Sequence, residues 1–269
     1  MKNNIKINNN KKSIIIYFFM ILIIILSVTY ITIYFLDILS LRKEAMKESN
    51  LLNMIDISKY NTIKVEGIEV KTEETERMLK VQNLQKENSD IVGWIEIENT
   101  NINYPVLQGT DNEYYMTHNY KKEKTKNGSI FLTKDYDWDI PSSNLLIYGH
   151  NYRNGTMFQD LLKYTDKSFY KEHPIIRFTT ENEDAEYEII SVFKSRVYYK
   201  SEKNVFRYYY FINAENEYEY NEFIDNAKKA SLYDIDATAK YGDQLITLST
   251  CSYHTKDGRF AVIGKKIKE

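Results

Sequence analysis

Cys251 is the single cysteine of this 269-residue chain, and it closes the run Thr247-Leu248-Ser249-Thr250-Cys251. Arg259 follows eight residues on, and Tyr148-Gly149-His150-Asn151 lies about a hundred residues before. A lone thiol is more often a small buried hydrophobe than a reagent. Here its neighbours Ser249, Thr250 and Ser252 are small and polar, which weakens that reading. A thiol nucleophile needs a group to take and return its proton, and histidine does this near neutral pH. Of the four histidines, His118 lies in a polar, lysine-rich segment and His173 precedes Pro174. His254 is near Cys251 in sequence but in a loop-like stretch, whereas His150 ends an apolar run. The pattern ranks His150 first and His254 second. The remaining need is a donor for the oxyanion formed on attack at a carbonyl. Arg259 suits it, because a guanidinium stays protonated and offers several donors. Alone, Arg259 would read as a surface cation.

These residues must be held by elements the sequence also suggests. Leu245–Leu248 reads as a strand, so Cys251 falls at a strand's C-terminal end, and Arg259 precedes a strand beginning at Phe260. Further strands are expected at 91–97, 102–107, 128–132, 144–148, 175–179, 187–199, 244–249 and 260–267. Helices are expected at 72–89, 157–162 and 217–232. The last puts Tyr220, Phe223, Ile224, Ala227 and Ala230 on one face, a packing surface rather than a ligand site. Many short strands with few helices favour a mainly β, closed or nearly closed barrel.

Ile14 to Leu36 is almost uninterruptedly apolar. At ~1.5 Å per residue such a helix crosses a ~30 Å hydrocarbon core. Lys2, Lys6, Lys11 and Lys12 precede it without an acid, so residues 1–12 are expected in the cytoplasm and the remainder outside. The run is too long for a signal-peptide core and no small-x-small site follows, which favours an uncleaved anchor over residues 13–36. Residues 37–71 read as a partly helical stalk and 72–269 as the catalytic domain. Four of the 36 basic residues lie before the anchor, leaving 32 against 38 acidic ones. That balance argues against a nucleic-acid partner. One cysteine also excludes an internal disulfide framework.

Together, Thr247-Leu248-Ser249-Thr250-Cys251, Arg259-Phe260-Ala261-Val262 and Gly149-His150-Asn151 resemble a sortase, one of the membrane-anchored cysteine transpeptidases of Gram-positive bacteria. Class B is indicated by Gly149-His150-Asn151-x-Arg153-x-Gly155-x-Met157-Phe158, by Tyr104-Pro105-Val106, by Asp111-Asn112-x-x-Tyr115, and by the long insert ahead of the cysteine strand. The likeness runs from about Met78 to Lys268. It implies a sortase-type eight-stranded β-barrel with flanking helices, with Cys251 as nucleophile, His150 as general acid/base and Arg259 as oxyanion or positioning group. It further implies that Ser249, Thr250, Asn112 and Met116 line a groove for a C-terminal sorting signal, of an Asn-Pro-x-Thr-Asn-like or Pro-x-Thr-Gly-like kind. Ser252 stands where some relatives carry an acid. The implied partners are sorting-signal peptides, an amine of a peptidoglycan precursor and the plasma membrane, with no cofactor and no metal. Rival readings are a hydrolytic cysteine peptidase, an L,D-transpeptidase and a non-catalytic anchored scaffold. The second is disfavoured because Ser249-Thr250 departs from a His-Gly-Cys motif.

Overall fold

The computed structural model describes residues 2–55, 64–65, 68–69, 73–140, 142–152 and 154–267. Arg153, Thr72, Lys268 and much of the expected stalk fall outside the described residues. The chain divides into two compact units, Met1–Lys43 and Glu44–Glu269. The first is helical: α1 (Lys2–Ser49) begins there and continues into the second unit. Its stretch Ile14–Leu36 is exposed on every side chain named and is long and apolar enough to cross a membrane. A helix apolar all round has no aqueous face to present.

In the second unit α1 ends with a turn whose Ala45 and Glu48 are buried, and a short helix, Leu51–Met54, adds the buried Leu52. α2 (Glu73–Glu87) opens on Glu73, Glu74 and Glu76, which suit the positive end of the helix dipole. It buries Val81 and Leu84. Eight strands follow: β1 (Ile91–Glu96), β2 (Asn103–Leu107), β3 (Ile130–Leu132), β4 (Asn144–Gly149), β5 (Ile175–Thr179), β6 (Asp184–Arg196), β7 (Leu245–Cys251) and β8 (Gly258–Lys266). They close into a barrel in the order β6–β8–β7–β4–β3–β2–β1–β5. The β7–β4 and β2–β3 pairs are parallel; the other pairs are antiparallel.

The strands carry apolar residues on both faces because both are covered. Ile95, Val106, Ile147, Phe178, Val192, Ile246, Leu248, Phe260 and Val262 fill one continuous core. Leu146, Ile190, Phe193, Leu245, Ala261 and Ile263 point the other way. They pack under α3 (Glu217–Ala230), whose Tyr220, Phe223, Ile224 and Ala227 are buried, while Ala230 of the expected face lies only partly covered. The α3 N-cap is Asn216, whose side chain accepts from the Glu219 N–H. A third cluster joins Leu52, Val81 and Leu84 to Ile91, Trp94, Leu107, Tyr115 and Phe131.

Two expectations needed correction. The region 157–162 is a two-residue ladder, Asn151–Tyr152 with Thr156–Met157, followed by a 3-10 turn over Gln159–Thr165. Its apolar residues Met157, Phe158, Leu161 and Tyr164 are spaced by a wrap around the barrel core rather than by an α-helical period. Secondly, β8 starts at Gly258, so Arg259 lies within the strand and not ahead of it.

Candidate functional site

The register of two strand pairs decides which residues meet. β4 and β7 run parallel with Ser249 opposite Tyr148 and Thr250 opposite Gly149. The next residue on each strand is His150 and Cys251, so the two leave the same end of the barrel side by side, neighbouring strands being ~4.8 Å apart. A buried pair helps pin this register: Thr247 Oγ1 donates to Asn144 Oδ1 at 2.9 Å, and Asn144 Nδ2 donates to the Phe211 carbonyl at 2.8 Å. On the other side β7 and β8 run antiparallel with Cys251 paired to Arg259. The connecting loop is tight. The Ser252 N–H donates to the Gly258 carbonyl at 2.9 Å. A Cβ at Gly258 would lie 2.1 Å from the Ser252 carbonyl oxygen, so only glycine fits.

Cys251, His150 and Arg259 line a cavity of about 180 Å³ together with Asn112, Met116, Phe131, Tyr148, Gly149, Ser249 and Thr250. All seven sequence-proposed residues therefore share one hollow. Cys251 is half-buried, its thiol free of any disulfide. Its backbone carbonyl accepts from Asn151 Nδ2 at 2.9 Å, and Asn151 is buried. His150 Nε2 lies 2.8 Å from the Met116 carbonyl oxygen. A carbonyl only accepts, so Nε2 carries the proton and Nδ1 is the nitrogen left to act as a base. The Arg259 guanidinium donates to the Gly258 carbonyl at 3.1 Å and is half-buried.

The other named residues differ in how free they are. Ser249 is buried and its hydroxyl is 2.7 Å from the Tyr208 phenol oxygen. Thr250 is buried and donates to the Gly149 carbonyl at 2.7 Å. Both hydroxyls are thus already engaged within the fold. Asn112 accepts from the Lys134 N–H at 2.7 Å through Oδ1, and Met116 is exposed.

The rival histidines lie elsewhere. His254 is exposed on the β7–β8 loop with Nδ1 2.9 Å from Ser252 Oγ, and partial burial followed by the charge of Lys194 holds its imidazole below the ordinary value. His118 stacks on Tyr114 at 4.0 Å between ring centroids, and His173 packs on Phe169 at 4.4 Å. None of the three lines the cavity.

Residue types alone did not single out Phe131 and Tyr148, which are paired across β3 and β4 with rings 5.5 Å apart and form the apolar wall. Their strand register was the missing signal. Burial pushes the Tyr148 phenol up to about 12, with the Arg259 charge opposing, so it stays a neutral donor across the physiological range. A larger cavity, about 800 Å³, is lined by Arg77, Arg177, Glu183, Asp184 and Lys266 but contains no cysteine or histidine.

A half-buried thiol, a histidine with a fixed tautomer and a guanidinium around an apolar-walled hollow suit acyl transfer through a thioester. The sortase domain model matches residues 95–267. Sortase B of Listeria monocytogenes is 37% identical over 194 residues, covering 70% of this chain and 74% of that protein. Sortase B of Staphylococcus aureus is 34% identical over 189 residues, with the same two shares. Among solved structures, the Staphylococcus aureus sortase B–substrate complex superposes with a TM-score of 0.67 at 29% identity, over 84% of this chain and 96% of that one. The X-ray structure of Clostridium perfringens sortase B gives 0.62 at 30% identity, over 70% and 99%.

Proposed function

This chain belongs to the sortase family, class B, and from that premise we propose that Cys251, His150 and Arg259 carry out its reaction. The chain is a cysteine transpeptidase that anchors surface proteins. Cys251 attacks the carbonyl of the Thr–Gly or Thr–Asn bond of a sorting signal, and its proton passes to His150 Nδ1. The imidazolium returns that proton to the departing amine, and a thioester to Cys251 remains. A peptidoglycan-precursor amine then attacks the thioester and gives up its proton to His150; the C–S bond breaks, the acyl group leaves on the amine, and His150 returns the proton to the Cys251 sulfur. Arg259 donates hydrogen bonds to the oxyanion of both tetrahedral intermediates, where a fixed charge in a sheltered site is worth more than in water. The sorting signal lies over Phe131 and Tyr148, with Asn112 and Met116 on the exposed rim.

The observation that carries this reading is the parallel β4–β7 register, which sets His150 beside Cys251 although a hundred residues separate them. The domain bounds follow the same reading: residues 1–12 in the cytoplasm, 13–36 in the membrane, 37–71 as stalk and 72–269 as the catalytic domain outside the cell. The basic tail and the apolar run support that orientation.

The test uses the full chain in nanodiscs with a panel of sorting-signal peptides and an added oligoglycine amine, the products being read by mass spectrometry. Transfer product with the native chain and none with Cys251→Ala is expected. Hydrolysis product alone would replace transfer by peptidase activity, and product from Cys251→Ala would overturn the assignment. On intact cells a membrane-impermeant maleimide should label Cys251; protection until lysis would reverse the topology.

A further inference from the structure

The Met116 carbonyl that fixes His150 belongs to a long loop, residues 108–129, between β2 and β3. Nothing in the barrel ladder holds such a loop, so its hydrogen bonds show what sets the carbonyl's position. The outgoing limb carries Tyr115, Met116 and Thr117. The returning limb pairs with it on both sides of Met116: the Thr125 N–H donates to the Thr117 carbonyl at 2.9 Å, and the Ser129 N–H donates to the Tyr115 carbonyl at 2.8 Å. Between these two bonds sits Gly128, with φ +59°. A Cβ there would lie 2.5 Å from the Met116 carbonyl oxygen and 2.7 Å from that of Tyr115. Glycine is thus what lets the returning limb pass close to the carbonyl that His150 uses.

The returning limb is in turn fastened to the end of α1. Thr125 Oγ1 and Asn127 Nδ2 both donate to Glu44 Oε2, at 2.8 and 3.2 Å. Ala45, beside it, is fully buried. A second tie runs toward the site: the Tyr152 phenol donates to the Lys126 carbonyl, and the Tyr152 ring lies 5.3 Å from the His150 ring.

We propose that Glu44 and Gly128 are positioning residues for the transpeptidation: Glu44 clamps the returning limb, Gly128 lets it pass, and the Met116 carbonyl so placed holds His150 in the Nε2–H tautomer. The proposal rests on the reading of His150 as the proton carrier. A backbone carbonyl here takes one part that a carboxylate plays in other nucleophile–histidine sites, holding the imidazole in one tautomer and orientation. The C-terminal part of α1, through Glu44, thereby becomes part of the catalytic apparatus and not merely a tether.

The experiment uses the full chain in nanodiscs, labelled with 15N only in histidine, so that four imidazoles report. Gly128→Ala should remove the protonated-Nε2 signal of His150, assigned by its loss in His150→Ala. It should lower kcat for a cleaved sorting peptide by about 10- to 100-fold, the penalty of a misplaced catalytic group, while KM changes less than about threefold. Because Gly128→Ala also strains the backbone, Glu44→Ala provides the second variant. It should shift the same signal and lower kcat in the same direction, and Glu44→Gln, which keeps an acceptor oxygen for Thr125 and Asn127, should restore both. Unchanged His150 signal and kcat in folded Gly128→Ala, or in Glu44→Ala if the former does not fold, would overturn the proposal. Equal loss in Glu44→Gln and Glu44→Ala would also overturn it. If His150→Ala itself retains transfer, the reading of His150 fails and not this clamp alone.

Discussion

Replacing Glu48 by glutamine should flatten the pH dependence of this protein's stability. Glu48 lies twelve residues beyond the apolar stretch of α1, is 4% exposed, and its Oε1 has no hydrogen-bond partner among the described residues. Burial pushes its carboxyl from an ordinary 4.5 up to about 8; the Tyr120 backbone N–H opposes the rise and Glu44 adds to it. The folded value lies above the unfolded one. The folded state therefore binds the extra proton, and the stabilisation is complete below pH ~4.5 and lost as pH rises toward ~8. At ~1.4 kcal/mol per pH unit, stability at pH 7 should stand roughly 3 kcal/mol below its value at pH 4 from this group alone. For a domain of this size that corresponds to roughly 6–12 °C in Tm. Burial pushes the neighbouring Tyr104 phenol up to about 12 and also raises that of Tyr120, so both titrate above this window. The assay is thermal unfolding of the full chain in detergent from pH 5 to 8, followed by near-ultraviolet circular dichroism, for native protein and Glu48→Gln. The difference between the two curves should narrow steadily as pH falls. Parallel curves would refute the argument, because a carboxyl that ionises equally in folded and unfolded chains adds no slope.

Two further outcomes follow from the site. Gly149→Ala places a Cβ 2.4 Å from Ile130 Cδ1 and 2.7 Å from the Phe158 ring. It should destabilise by about 1–3 kcal/mol, as overpacking does, read as a lower urea midpoint; an unchanged midpoint would mean the barrel end yields freely. Arg259→Ala should lower kcat by about 10²- to 10³-fold, the range for losing an oxyanion donor. Arg259→Lys should fall between Ala and native, since it keeps the charge but not the planar fork, and native rates in the alanine variant would remove Arg259 from the mechanism.

The chemistry was legible because it depends on residue type. One cysteine with small polar flanks, an arginine eight residues on and a histidine after an apolar run could be picked out by what each side chain can do. The strand positions were also readable, since β-branched and aromatic runs bounded by polar turns mark strands whichever sheet they join. Where periodicity was ambiguous the reading failed. Met157–Leu162 has helix-like spacing, but its apolar residues face the core from a ladder and a 3-10 turn.

Choosing His150 over His254 was the part that residue pattern could rank but not decide. His254 is three residues from Cys251 and yet lies on an exposed loop with its ring held by Ser252, while His150 is a hundred residues away and shares the cavity of Cys251. Chain distance carries no information about a parallel strand pair, whose register is set by core packing and by buried contacts such as Thr247 with Asn144. The placement of Arg259 opposite Cys251, the tautomer imposed by Met116 and the glycine that permits it are likewise products of pairing and close packing. Residue type alone says which groups can do the chemistry and that an apolar helix precedes them. Only the closed barrel decided which of those groups meet, because that depends on which strands become neighbours.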